Sequence, residues 1–136
     1  METNLFDKNG EAIAYISDDF DNTVYLFDGN PVAYLYEDRH IYGINGRHLG
    51  WLINDILFTD IGQRIGFTMV TCPAPLGRIP VKHEKMVKPQ PRPRWEKPVL
   101  PNMGFDLADQ ALIDFLSEGG VAPLQSVKET ESSEES

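Results

Sequence analysis

The chain has 136 residues, of which 41% are hydrophobic, and a formal net charge of −9 at pH 7, a length that fits one domain. An acidic protein of this kind repels phosphate backbones, so general nucleic-acid binding is disfavoured. Its single cysteine, Cys72, excludes an intramolecular disulfide and a paired-thiolate metal site. An acidic N-terminus and the lack of a long apolar run predict a cytoplasmic protein with neither a signal peptide nor a membrane span.

Four copies of one short pattern follow each other through the first half of the chain, at residues 5–16, 24–35, 41–52 and 57–68. Each reads aliphatic, aromatic, three variable residues, Gly, two variable residues, aliphatic, Ala or Gly, aromatic. Such self-similarity is typical of a repeated structural unit. We predict that the fold depends on three of its positions, namely the glycines (Gly10, Gly29, Gly46, Gly62), the small residues (Ala14, Ala33, Gly50, Gly66) and the second aromatics (Tyr15, Tyr34, Trp51, Phe67).

Each copy is predicted to be strand, turn, strand. Asn9-Gly10, Asp28-Gly29 and Asn45-Gly46 are dipeptides that tolerate the two positive φ angles of a tight hairpin turn. The fourth copy has Ile61-Gly62 instead, and because Ile resists positive φ we expect a wider or differently typed loop there.

Hairpins this short are marginal alone, so the four are predicted to stabilise one another. Strand side chains alternate, which places Ile13 and Tyr15 on one face and Ala14 on the other. Four such small residues would meet around a pseudo-four-fold axis, with aliphatic and aromatic side chains between neighbouring hairpins. The predicted fold class is all-β: four tandem β-hairpins in a closed quasi-four-fold arrangement, with a proline-rich extension and one short C-terminal helix.

The GxxVAY and GxxLGW cores, followed by a Lys/Pro-rich stretch, a Trp and a short Phe/Leu-containing helix, resemble the four-fold β-flower domain of small bacterial proteins. The resemblance covers roughly residues 5–118 and implies four hairpins arranged like petals, with no catalytic residues to carry over. Two other classes remain open: membrane-occupation repeats, which stack openly, and cell-wall-binding repeats, which hold sugars between Trp and Tyr.

Composition divides the chain into a four-hairpin domain (1–70), a basic linker (71–104), a short helix (105–119) and a disordered acidic tail (120–136). The linker has seven basic and two acidic residues and most of the prolines, so it should be an extended tether. We expect it to lie as a strap against the acidic turns between hairpins, through Lys82, Lys85, Lys88, Arg92 and Arg94. The alternative is a proline-rich ligand for a partner protein.

A helix is predicted from Asp106, as its N-cap, to a stop at Gly119-Gly120. Its apolar face consists of Leu107, Ala111, Leu112, Phe115 and Leu116. So short a helix must dock, either on its own β-domain or on a partner. Leu107, Leu112, Phe115 and Leu116 are therefore the candidate partner-binding residues.

No pattern in the sequence indicates catalytic, cofactor-binding or metal-binding residues. His40, His48 and His83 lack a ligand spacing, and each is predicted to be a solvated surface residue. The predicted function is a non-catalytic protein-interaction or scaffold module whose partner, reached through the linker or the helix, the sequence does not identify. The alternatives are a carbohydrate or cell-envelope-binding module, using exposed repeat aromatics, and a small hydrolase, using Asp and His on one rim, for which His40, His48 and Asp38 are the residues to test.

Overall fold

The structure, a computed structural model, describes residues 2–19, 21–87, 94 and 96–120. Eight strands pair antiparallel in chain order, and β1 also pairs with β8 through Phe6 and Phe67, so the sheet closes into a barrel. The strands are β1 (Thr3–Phe6), β2 (Ala12–Ile16), β3 (Thr23–Leu26), β4 (Pro31–Tyr36), β5 (His40–Gly43), β6 (His48–Ile53), β7 (Ile56–Thr59) and β8 (Arg64–Phe67). The predicted closed arrangement of four hairpins is confirmed.

The four glycine turns share one geometry, and it differs from the predicted one. At the first turn the Gly10 N–H donates to the Asp7 carbonyl and the Asp7 N–H donates to the Glu11 carbonyl. Only the glycine has positive φ, +89° at Gly10, as in a three-residue loop with a glycine bulge. The fourth turn is the same, with Gly62 at +85°, so the expected exception at Ile61 is wrong: the glycine alone takes the left-handed conformation.

Turns with two successive positive φ angles lie instead between hairpins. Glu37 and Asp38, between β4 and β5, have φ of 56° and 59°, and Asn54 and Asp55, between β6 and β7, have φ of 54° and 64°. Two successive positive φ angles are the mark of the turn whose twist matches that of the flanking strands. The kind of turn predicted for the glycine loops therefore lies at the opposite end of the hairpins, and it is formed there by residues other than glycine.

The second strand of every hairpin carries one extra residue. In the first hairpin Leu5 pairs with Ala14 and Phe6 with Ala12, so the register passes over Ile13. The other three hairpins have the same shift, at Val32, Leu49 and Ile65. Such a β-bulge re-aims a side chain, and all four aliphatic residues pack in or against the interior cluster. Because the bulge breaks the alternation, the prediction that Ile13 shares a face with Tyr15 is wrong.

The interior is filled by side chains from all eight strands and from the C-terminal helix. The small repeat residues make room for neighbouring elements. A Cβ on Gly50 would overlap the Phe58 carbonyl oxygen and lie 3.2 Å from the Phe115 ring, and a Cβ on Gly66 would lie 3.2 Å from the Leu112 side chain. The close neighbours that the sequence pattern implied are therefore, at these two positions, strand β7 and the helix.

The repeat aromatics lie outside this cluster and join neighbouring hairpins. Tyr15 stacks on Tyr25 at 5.8 Å between ring centroids, and Tyr34 stacks on Tyr42 at 6.0 Å. The equivalent positions pair Trp51 with Phe58 and Phe67 with Phe6. The predicted packing of aromatics between hairpins is confirmed, and the four second aromatics are at most 5% exposed.

The described residues of the linker, 71–87, 94 and 96–104, form a strap whose backbone follows glycine turns at three places. The N–H groups of Gly77, Met86 and Gly104 donate to the carbonyls of Gly10, Gly29 and Gly62 at 2.8, 2.9 and 3.1 Å, respectively. In each case the carbonyl two residues earlier in the strap occupies the space that a Cβ on the turn glycine would need. A glycine at the turn therefore serves both the turn and the docking of the strap.

This docking corrects the predicted course of the strap. Its backbone lies on the glycine-turn rim, because the turn carbonyls there are free to accept its N–H groups. Only its long side chains reach the acidic residues: Lys82 and Lys85 lie 2.9 and 3.4 Å from the Glu2 carboxylate, and Lys97 lies 3.7 Å from Glu37. Lys88 and Arg92 lie outside the described residues, as does the predicted tail from residue 121 onward.

The helix, α1, spans Leu112–Ser117 and closes one part of the barrel interior with Leu112, Phe115 and Leu116. It ends as predicted, with Gly119 and Gly120 bonded back to the last turn. Its predicted start at Asp106 is wrong and its N-cap is Ala111, because Arg64 pairs with residues 106–108 as an isolated β-bridge. Among the described residues, no helix is long and apolar enough to cross a membrane.

Gly50→Ala should destabilise the protein by about 1–3 kcal/mol, the usual cost of overpacking, because the new methyl group meets a backbone oxygen. Gly104→Ala is the matched control, since its Cβ would find its nearest atoms at 3.8 and 3.9 Å. Urea denaturation of both variants measures the difference. Equal midpoints would contradict the close packing at Gly50.

Leu116→Ala should cost about 2–5 kcal/mol, because Leu116 is fully buried in the barrel core. Ile113→Ala removes a similar side chain from the same helix where it is 44% exposed, so it should change stability much less. Urea denaturation of the isolated protein tests both. If the helix docked only on a partner, the two variants would unfold alike.

Candidate functional site

Two buried histidines face each other on the outside of the third hairpin. His40 begins β5 and His48 begins β6, and their side chains are only 8% and 7% exposed. The His40 Nδ1 and His48 Nε2 atoms lie 3.0 Å apart, a hydrogen bond between the rings. The prediction of solvated histidines is therefore wrong for this pair, whereas His83, on the strap, is exposed.

The bulge at Leu49 brings the two rings together. His40 pairs with Trp51, and regular alternation from that pair would set Tyr42 opposite Leu49 and leave His48 on the other face. The bulge passes over Leu49 and sets Tyr42 opposite His48, which places His48 on the face of His40. Under strict alternation, the sequence spacing places His40 and His48 on opposite faces of the strands. The sequence alone therefore did not reveal that they form a pair.

Aromatic rings surround the pair. The Trp51 and Tyr42 ring centroids lie 4.7 and 4.9 Å from that of His48, both edge to face. Across the neighbouring groove the Arg94 guanidinium of the strap lies 3.8 Å from the Tyr36 ring centroid. The imidazoles are thus packed among aromatic rings, and both are almost fully buried.

The surroundings favour the neutral imidazoles. Burial, His40 and Lys97 lower the pKa of His48 from 6.5 to about 4. Burial and Lys97 also lower the pKa of His40, although Glu37 acts in the opposite direction. The Nδ1 atom of His48 is buried with no hydrogen-bond partner in the described part of the chain. The pair therefore offers unprotonated nitrogens at neutral pH, one of them unsatisfied.

Two basic side chains of the strap lie on the groove between the first two hairpins. The Lys82 ammonium lies 4.6 Å from the Tyr15 ring centroid and the Lys85 ammonium 5.2 Å from that of Tyr25. Lys85 also donates to the Ser17 hydroxyl at 2.8 Å. Cations over aromatic faces add attraction beyond the exposed ion pairs with Glu2, so the strap is fixed to the barrel by side chains as well as by its backbone.

The strap also presents large apolar side chains to solvent. Six of them among its described residues are at least 40% exposed: Leu76, Ile79, Val81, Val87, Val99 and Leu100. The helix residues predicted to bind a partner are placed differently. Leu112, Phe115 and Leu116 are at most 3% exposed within the chain's own core, and Leu107 is 44% exposed beside Arg64. A partner can reach the first three only if the helix leaves the barrel.

A comparison with protein families matches residues 3–116 to the model of the 4-fold beta flower protein. The match covers all eight strands, the strap and most of the helix, and it confirms the resemblance drawn from the repeat. Neither the curated proteins nor the solved structures gave a significant match.

The buried pair should make stability depend on pH. Because the folded-state pKa of His48 is about 4, against 6.5 for the unaltered group, the unfolded chain binds more protons between these values. Stability is therefore fully present above pH 6.5 and falls as the pH is lowered, by up to roughly 3 kcal/mol from this residue. Urea denaturation at several pH values measures the slope.

The difference in pH dependence between variants separates the contribution of His48 to stability from that of the carboxylates. His48→Asn should flatten the pH dependence in this window, whereas His83→Gln should leave it unchanged because His83 is exposed. Identical slopes for wild type and His48→Asn would show that His48 is not held neutral by the fold.

Proposed function

The chain belongs to the 4-fold beta flower family, and on that premise we propose that it is a non-catalytic protein-interaction module. The barrel is a rigid core in this proposal, and the strap on its glycine-turn rim is the surface that a partner recognises. We propose a cytoplasmic location as well, in keeping with a single, free and partly buried cysteine, Cys72.

The observation that carries the proposal is the contrast between the strap's backbone and its side chains. The backbone is fixed at three glycine turns, yet Val87 and Val99 are 96% and 92% exposed. Singly exposed apolar residues are ordinary. Here six of them lie on one anchored segment, which holds them in solvent where a partner can reach them.

Anchoring matters for affinity. A free extended peptide loses conformational entropy when a partner orders it, and this loss weakens binding. A strap already held in an extended conformation avoids most of that loss. The partner's complementary surface should be an apolar groove with acidic residues at its border, because the linker carries seven basic and two acidic residues.

The other two predicted functions receive less support from the geometry. A sugar-binding module needs exposed aromatic faces, whereas Tyr15 and Trp51 are 1% exposed, Phe67 is 2% and Tyr34 is 5%. A hydrolase would need a base directed at substrate, whereas His40 faces His48. Asp38, the third residue of that hypothesis, lies in a tight exposed turn.

Replacing Val87 and Val99 together by Asp should abolish partner binding, because it places charge on the two most exposed apolar side chains among the described residues of the strap. Stability should stay within about 0.5 kcal/mol of wild type, as for most surface substitutions. Quantitative affinity capture from a lysate of the native host, followed by calorimetry with the purified captured protein, measures the loss.

Val70→Asp is the matched control, since Val70 is 77% exposed but precedes the strap. It should capture the same protein as wild type and with the same affinity. Equal capture by the double variant and by wild type, or no specific capture by wild type, would overturn the proposal.

A further inference from the structure

The fourth glycine turn carries an exposed apolar residue that the turn itself does not require. The residue before the turn glycine is Asn9, Asp28 and Asn45 in the first three copies and Ile61 in the fourth. All four turns have the same geometry, in which only the glycine has positive φ, and polar residues are the usual choice in such turns. The Ile61 side chain is 66% exposed. Neither the turn geometry nor the core therefore accounts for Ile61.

The strap places two further apolar side chains at the same turn. It docks there through Gly104, the residue before Phe105, and Leu107 pairs with Arg64 in a β-bridge. Phe105 is 84% exposed and Leu107 is 44% exposed, although the Arg64 guanidinium lies 4.6 Å from the Phe105 ring centroid. Ile61, Phe105 and Leu107 together are called the fourth-turn patch below.

The surroundings of the fourth-turn patch are acidic, whereas the strap on the first two turns is basic. Residues 59–64 and 104–109 together carry three acidic residues and one basic residue, and residues 76–87 carry three basic residues and one acidic residue. The basic residue near the patch, Arg64, is already engaged, since its Nε donates to a strap carbonyl at 3.0 Å. The strap segment also has exposed apolar side chains, such as Val81, which is 79% exposed. The chain thus carries two apolar surfaces of opposite charge.

We propose that the fourth-turn patch binds strap segment 76–87 of a second copy of this chain, an inference that rests on the proposed function because it names a partner for the strap. Electrostatic complementarity of this kind selects and orients partners. Both surfaces lie on the glycine-turn rim, and strand β1 pairs with β8, so the first and fourth turns are neighbours on that rim. With a two-fold axis between the two surfaces, each patch meets the other copy's strap. Such a reciprocal contact closes at two copies.

One strap cation is suited to this contact. Lys82 and Lys85 already pair with Glu2 of their own chain. Arg78 is exposed and has no ion-pair partner among the described residues. Arg78 is therefore the strap residue that pairs with the acidic side chains around another copy's patch, of which Asp106 lies between two of the patch residues.

Sedimentation equilibrium of the purified full chain measures the assembly. Small interfaces are typical of weak complexes, so the protein concentration is raised from about 1 to 500 μM at low salt. We expect the mass to rise from one copy to two and then to stay constant. Added NaCl should shift the mass back toward one copy, because exposed charges are screened by salt. A mass of one copy at every concentration, or a mass that continues to rise beyond two copies, would overturn the proposal.

Ile61→Asn gives the fourth turn the residue found in the first and third copies, so the urea midpoint should stay unchanged. Dimerisation should weaken by more than about tenfold, because an apolar side chain is lost from the contact. Met69→Asn is the matched control, since Met69 is 72% exposed but lies outside both surfaces. It should dimerise as wild type does. Equal dimerisation of Ile61→Asn and wild type would refute the role of the patch.

Charge reversal tests which surfaces meet. Asp106→Arg and Arg78→Asp, made in separate chains, should each weaken dimerisation at least about fivefold, because each places like charges at both contacts of the dimer. An equimolar mixture of the two variants should dimerise as wild type does, since one contact then joins the two altered residues and the other joins the two original ones. If the mixture dimerises no better than the separate variants, the proposed pairing is wrong.

These measurements separate the proposal from the proposed function. From a lysate of the native host, the tagged chain should capture untagged copies of itself. A chain that stays monomeric yet captures a different protein through Val87 and Val99 would keep the proposed function and refute the second copy as partner. A dimer that is unaffected by Asp at Val87 and Val99 but lost in Ile61→Asn and Arg78→Asp would support the contact described here and limit it to the first part of the strap.

Discussion

A barrel of eight strands as short as these must fill its interior with few side chains, and the bulge in the second strand of each hairpin is what makes this possible. By passing over Ile13, Val32, Leu49 and Ile65, the register directs two successive residues inward, one aliphatic and one small. The aliphatic residue fills volume and the small one admits the neighbouring strand and the helix. Without the extra residue the core would lose its second row of aliphatic side chains.

The same bulge organises the outside of the barrel. After it, the second aromatic of each hairpin lies opposite the first aromatic of the next, as Tyr15 does opposite Tyr25. On the third hairpin it also places His48 on the face of His40. The core, the joints between hairpins and the histidine pair thus depend on one backbone feature used four times.

Much of the fold could be predicted because the repeat reports it directly. The glycines indicate turns, and the aromatics recur at the same positions in every copy. Together they indicate hairpins that must close on one another. The turn types and the bulge could not be predicted, since Glu37-Asp38 is a tight turn without glycine and strict alternation hides an extra residue. The start of the helix could not be predicted either, because it depends on a tertiary contact. Residues near Asp106 pair with Arg64 instead of forming a first helical turn.

The strap extends the four-fold pattern beyond the barrel. The three strap segments that dock on glycine turns begin at Pro75, Glu84 and Asn102. These starting positions are nine and then eighteen residues apart. Lys85 on Tyr25 and Arg94 on Tyr42 are likewise nine residues apart on equivalent aromatics. A nine-residue period therefore matches the step from one hairpin to the next around the rim, a relation that proline spacing alone did not reveal because the contacts are made by backbone groups.

The candidate site occupies positions where the four copies differ. The positions equivalent to His40 and His48 hold Asn4 and Ala12, Thr23 and Pro31, and Ile56 and Arg64 in the other hairpins. Residues shared by all copies are explained by closure and packing, so they carry no information about what one hairpin does alone. Two histidines at a facing pair of variable positions, buried where the other copies need no such pair, are not required by the barrel.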